Sequence, residues 1–216
     1  LKVNPETVSK ITDIPFLPVT FFKQEAIIAQ GYVSEKIFTS SGTTGNTTSK
    51  HYVADIKLYE ATFMNAFTQQ YGNIEAYTIL ALLPNYLERE GSSLVYMVDA
   101  LITKSKQPKS GFYLHNLNAL AETLKTLESQ KKKTLLLGVS YALLDLIDLH
   151  TFTLAHTIVM ETGGMKGRRK ELIKEALHEK LTKGFGVPYI HSEYGMTELL
   201  SQAYSKGNGI FRCPSW

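Results

Sequence analysis

Between Thr39 and Lys50 the chain reads Thr-Ser-Ser-Gly-Thr-Thr-Gly-Asn-Thr-Thr-Ser-Lys. Two glycines, Gly42 and Gly45, stand in a dense run of hydroxyls, and nothing apolar interrupts it up to His51. Such a segment has little to bury. It does gather many backbone N–H and side-chain O–H donors in one loop. Glycine permits positive φ and close approach of the backbone to an anion, and successive N–H groups in such turns form a concave nest for phosphate oxygens. The segment is expected to lie directly before a helix, whose N-terminal dipole would add to the attraction. The same composition also describes a polar linker. It is not a Walker A loop, because the second glycine would fall at Thr47 and no Gly-Lys-Ser/Thr follows. On composition alone, phosphate loop and linker stay equally open.

The wording of the run changes those odds. Ser40-Ser41-Gly42-Thr43-Thr44-Gly45 resembles the phosphate loop of the adenylate-forming superfamily, which includes acyl-CoA synthetases, peptide-synthetase adenylation domains and luciferases. A second motif of that superfamily, Tyr-Gly-x-Thr-Glu, stands downstream as Tyr194-Gly195-Met196-Thr197-Glu198, with a glycine pair, Gly163-Gly164, between the two. The flanks Ile14-Pro15-Phe16-Leu17-Pro18-Val19 and Phe21-Phe22-Lys23, and the ending Phe211-Arg212-Cys213-Pro214-Ser215-Trp216, are similar to the bacterial LuxE-type acyl-protein synthetases. The resemblance spans nearly the whole chain.

It implies an ATP-dependent, AMP-forming ligase that activates a carboxylic acid, a long-chain fatty acid in the LuxE branch, as an acyl-adenylate for transfer to a protein thiol. A carboxylate is a poor acyl donor because its oxyanion leaves badly, and exchange for AMP makes the carbonyl attackable. On this resemblance Ser40, Ser41, Gly42, Thr43, Thr44 and Gly45 wrap the β and γ phosphates of ATP. Gly163 and Gly164 pass close to the adenine edge, Tyr194 stacks on adenine with Gly195 next to it in the nucleotide-binding set, and Thr197 bonds the α-phosphate. Glu198 holds Mg²⁺, a hard cation suited to a carboxylate and phosphate oxygens. Lys50 is as readily an exposed lysine as a phosphate contact. Gly138-Val139-Ser140 is a positional candidate for the acyl pocket. By analogy, acyl-reductase and acyl-transferase subunits are the implied partners. Two other readings stay open: a phenylacetate-type aryl-CoA ligase with the same loop, and a non-catalytic nucleotide-binding module.

The superfamily places its ribose-binding Asp, its hinge and its adenylation Lys later than Trp216. Residues 1–216 are therefore expected to be the N-terminal, larger domain, incomplete at the C-terminus, binding nucleotide and acyl group but adenylating poorly alone. The chain opens without Met, so its N-terminus is also expected to be incomplete.

The elements that must position these residues follow from apolar periodicity. Asp55 is expected to cap a helix to Tyr71, with Ile56, Tyr59, Phe63, Phe67 and Tyr71 on one face and Gly72 as the stop. Continuous apolar runs at 76–83, 134–139, 156–161 and 187–192 read as buried strands. Helices are expected over 94–102, from Asn116 through Leu127, over 141–149 and over 168–181, the last with Leu172, Ile173, Ala176, Leu177 and Leu181 inward. Strands alternating with helices give an α/β fold with a mostly parallel sheet flanked by helices. In such sheets ligands bind beyond the carboxyl ends of the strands. Both Gly163-Gly164 and the Tyr194 motif follow expected strands, which puts them on one rim.

Composition bounds the rest. With 44% hydrophobic and 20% charged residues and a net charge of +3, 216 residues suit one soluble domain. Lys131-Lys132-Lys133 reads as a solvated helix edge, and nothing suggests a nucleic-acid groove. No apolar run is long enough to span a bilayer, and no signal peptide is visible. A single cysteine, Cys213, suits a reducing, cytoplasmic setting, and no catalytic role falls to it. The histidines form no site by spacing: His178-Glu179 lacks the second histidine of a zinc-protease motif, and His191 reads as a satisfied strand-end histidine.

Overall fold

A computed structural model of the chain describes residues 4–40, 48–83, 91–114, 116–163, 165 and 167–214. A helical turn, Phe21–Gln24 (α1), precedes an antiparallel hairpin of Lys36–Thr39 (β1) and Lys50–Val53 (β2), in which Thr39 faces Lys50. The Ser/Thr/Gly run therefore connects the two strands of a hairpin, and its residues 41–47 lie outside the described residues. The expected direct approach to a helix is not found, because β2 intervenes and the next helix begins only at Ile56.

That next helix, Ile56–Tyr71 (α2), forms as its sequence dictates. Asp55 is extended, and its Oδ1 accepts from the Lys57 N–H at 2.9 Å, satisfying an otherwise orphaned helix donor. Tyr59, Phe63, Ala66 and Phe67 face the core, the spacing of one helical face. Gly72, at φ +80°, ends it.

There follow Thr78–Leu82 (β3), Ser93–Ser105 (α3), Gly111–Phe112 (β4), Leu117–Ser129 (α4), Thr134–Val139 (β5), Ser140–Leu149 (α5), Thr157–Thr162 (β6), Lys174–Phe185 (α6), His191–Gly195 (β7) and Gln202–Ser205 (β8). Ser92 caps α3 by accepting from Val95, and Asn116 caps α4 by accepting from Ala119. Among the described residues the large sheet has six strands in the order β4-β3-β5-β6-β7-β8. All neighbours are parallel except β7 and β8. Every residue of β3 and β5 is buried, so both faces of the sheet are covered. α2 packs against α3, and α5 against α6. The fold is thus α/β with a mostly parallel sheet flanked by helices. Parallel pairing brings the carboxyl ends of β5, β6 and β7 to one edge, where Val139 faces Thr162 and Thr162 faces Glu193. Among the described residues no helix is long and apolar enough to cross a membrane.

Two expected elements start late. The helix expected from Arg168 begins at Lys174. Gly167 ahead of it adopts φ +69°, Ile173 is extended, and Arg169 is drawn aside to Asp145 and Asp148 of α5. Ile173, expected inward, is 72% exposed. The strand expected over 187–192 pairs only from His191, because Pro188 has no N–H to give a ladder.

Candidate functional site

At the carboxyl edge of β5, β6 and β7 lies a cavity of about 600 Å³. Five of the residues singled out in the sequence line it: Ser40, Gly163, Tyr194, Gly195 and Thr197. Ser41, Gly42, Thr43, Thr44, Gly45 and Gly164 lie outside the described residues. Glu198 is half-buried in the turn after Thr197 and is not part of the cavity lining. That turn is not helical. Of the acyl-pocket candidates only Ser140 reaches the cavity. Gly138 instead packs where a Cβ would come 2.7 Å from Leu143.

The hairpin delivers Ser40. Its N–H donates to the Ser49 carbonyl at 3.0 Å, and its Oγ accepts from the Ser49 N–H at 2.9 Å. These bonds close the neck of the loop. Behind the neck, the Thr39 N–H donates to the Gly91 carbonyl at 2.8 Å. Gly91 sits at φ +88°, and a Cβ there would come 2.8 Å from Thr39 Oγ1. Glycine is required at this position by both conformation and space.

The hairpin is also tied to the Tyr194 motif. His51, on β2, holds the Thr197 carbonyl through Nδ1 at 2.8 Å. A carbonyl only accepts, so the proton is on Nδ1. The Phe22 ring packs edge-on against His51 at 5.2 Å. On the far side of the motif, Thr62 Oγ1 of α2 bonds the Leu200 carbonyl at 2.7 Å. These anchors have no signal in the sequence, since His51 and Thr197 are 146 positions apart.

Tyr194, next to last in β7, has its ring half-exposed at the cavity, 6.1 Å from the Phe211 ring in an edge arrangement. The face of an exposed aromatic ring is a stacking platform. Leu94, Met165, Leu172, Leu177 and Phe211 add apolar wall.

Two buried carboxylates stand on neighbouring strands of the same cavity. Glu161, 3% exposed, is met by Lys174 Nζ at 3.1 Å, His178 Nε2 at 3.4 Å and Ser140 Oγ at 3.3 Å. Burial pushes its carboxyl up, but His178 first, then Ser192 and Lys174, together outweigh burial and hold it below the usual carboxylate range. Glu193, 6% exposed, has a hydroxyl partner instead: Thr162 Oγ1 donates to its Oε2 at 2.5 Å. Burial raises Glu193 to about 7, and the nearby charge of Glu161 adds to the rise against the Thr162 bond. Environment thus pushes the two acids apart. Glu161 is legible in retrospect as a lone charge inside a strand otherwise buried or partly buried; Glu193 lies in a strand whose end is exposed and gives no such signal. His191 lies outside the cavity, with Nδ1 3.1 Å from the Tyr71 hydroxyl. Burial, then the charge of Lys206, lowers it to about 4. Cys213 is exposed.

Among the described residues no cluster of three His, Cys, Asp or Glu side chains is placed to hold a metal ion. A Mg²⁺ ion that arrives with nucleotide phosphates needs only one or two protein carboxylates; Glu198, next to the cavity-lining Thr197, is half-buried and does not itself line the cavity. The sequence matches no protein-family model, and no curated protein matches it.

Proposed function

We propose that this chain is the nucleotide- and acyl-binding part of an ATP-dependent, AMP-forming acyl-activating ligase of the acyl-protein synthetase type, acting on a long-chain fatty acid. One observation carries the reading. Ser40 and the Gly163, Tyr194, Gly195 and Thr197 positions come from motifs far apart in the chain, yet line one cavity at the carboxyl edge of a parallel sheet, where such folds bind ligands. A cavity of about 600 Å³ is of ordinary ligand-binding size.

In the proposed reaction a carboxylate oxygen attacks the α-phosphorus of ATP, the bond to pyrophosphate breaks, and acyl-adenylate forms. A thiol then attacks the carbonyl and AMP leaves. The chain's own contribution is positioning and charge stabilisation. Tyr194 offers its ring to adenine, and Thr197 offers its hydroxyl to the α-phosphate. Ser40 brings the hairpin loop to the other phosphates, and the apolar wall excludes water from the acyl group. Mg²⁺, held by Glu198 and phosphate oxygens, would neutralise phosphate charge when bound.

The test is calorimetric binding of myristoyl sulfamoyl adenosine, a non-hydrolysable adenylate mimic, beside its phenylacetyl counterpart. Tight binding of the myristoyl compound, weakened by Tyr194→Ala, is expected. Preference for the phenylacetyl compound moves the assignment to an aryl-acid ligase. No binding of either by folded protein overturns the adenylate reading.

A further inference from the structure

Acidic side chains outnumber basic ones in the cavity. Among the described residues that line it, Glu161, Glu171 and Glu193 are acidic and Lys174 is the one lysine or arginine. Any anionic group that enters must find its countercharge in this setting, and charge-assisted bonds are the strong ones.

Lys174 is built to supply it. It is the first residue of α6, with its side chain 39% exposed. Its Nζ lies 3.1 Å from Glu161 Oε1 and 4.6 Å from the centre of the Phe211 ring. An ammonium carries three N–H donors, so one carboxylate oxygen and one ring leave donor capacity toward the cavity. The two partners hold a flexible side chain in one place, which lowers the ordering cost of a new contact. Glu161 in turn does not depend on Lys174 alone, since His178 and Ser140 also meet it.

We infer that Lys174 is an anion-binding residue of this cavity, its ammonium taking an anionic oxygen of the ligand while Glu161 and Phe211 hold it in position. The anion is a nucleotide phosphate or the substrate carboxylate, and in this the inference rests on the adenylate reading. Lys174 is then the group that lets two negative reactants share an acidic cavity.

The experiment is calorimetry on the full chain with AMP, adenosine and myristate, for wild type, Lys174→Gln, Lys174→Arg and the Glu161→Gln/Lys174→Gln double variant, with melting curves to confirm folding. Wild type should bind AMP more tightly than adenosine. Lys174→Gln should weaken AMP by roughly tenfold to a hundredfold, as expected for a lost charged hydrogen bond, and leave adenosine unchanged. Lys174→Arg should keep most of the affinity. A loss confined to myristate supports the inference and assigns the contact to the carboxylate. The double variant separates ligand contact from mere neutralisation of Glu161. It should stay as weak as Lys174→Gln. Its recovery to wild-type affinity, or unchanged AMP and myristate binding by Lys174→Gln, overturns the inference and leaves the adenylate site standing. A folded wild type that binds none of the three ligands overturns both.

Discussion

Replacing Glu193 by Gln should stabilise the protein above neutral pH and not at acid pH. The carboxyl has an ordinary value of 4.5 and rises to about 7 in the folded protein, chiefly through burial. Between those values the folded protein keeps a proton that the unfolded chain has released. Stability therefore falls as pH rises through this window, and the loss is complete above about pH 8. At about 1.4 kcal/mol per pH unit, the loss is about 3 kcal/mol. Gln cannot ionise, so its variant does not suffer it. Thr162 still finds an oxygen acceptor in the amide. For a chain of this size that corresponds to roughly 6–12 °C in Tm, read as the variant-minus-wild-type difference between pH 5 and 8.5. The difference is essential, because His191 works in the opposite direction. Its ring is lowered from 6.5 to about 4, so its contribution grows as pH rises to 6.5 and masks part of the Glu193 effect in wild type alone. His191 is common to both proteins and cancels. A difference that stays flat within about 1 °C across the range would refute the claim that burial keeps a proton on Glu193 up to about pH 7.

Three further substitutions probe the supports of the cavity. Gly91→Ala puts a side chain at φ +88° and 2.8 Å from Thr39 Oγ1; it should cost about 1–3 kcal/mol in urea unfolding and weaken the adenylate mimic by displacing the hairpin neck. His51→Leu removes the donor to the Thr197 carbonyl, worth about 1 kcal/mol. It should weaken adenylate-mimic binding roughly fivefold, and unchanged calorimetric affinity would show that the hairpin and the Tyr194 motif are registered by other contacts. Phe63→Ala empties a fully buried site beside Tyr59; it should cost about 3–5 kcal/mol by denaturant titration while the folded fraction binds the mimic as wild type does.

The parts that sequence made legible are those whose local signals and burial agree. α2 is fixed by an Asp cap, an aromatic face and a glycine stop, and each does in the structure what its chemistry requires. β5 is a run of apolar residues behind Thr134, buried at every position, so its identity does not depend on alternation. The hairpin was not legible because β1 and β2 have four residues each and are only partly buried. Their pairing is specified across a loop, not within either strand. α6 is shorter than its sequence pattern suggests, because Leu172 and Ile173 continue its apolar period without belonging to the helix. The Arg169 contact with Asp145 and Asp148 and the left-handed Gly167 hold the preceding segment out of the helix, and only tertiary structure shows those forces. The same division runs through the cavity. Motif residues announce themselves by type and order, as Tyr194 and Thr197 do. Lys174 and His178, set on a helix with an exposed charged face, are indistinguishable in sequence from solvated side chains. What singles them out is Glu161, a charge in a strand whose other residues are buried or partly buried. A buried carboxylate must find cationic or hydrogen-bonding partners. A charged residue inside such a strand thus implies partners nearby, and here they are Lys174, His178 and Ser140.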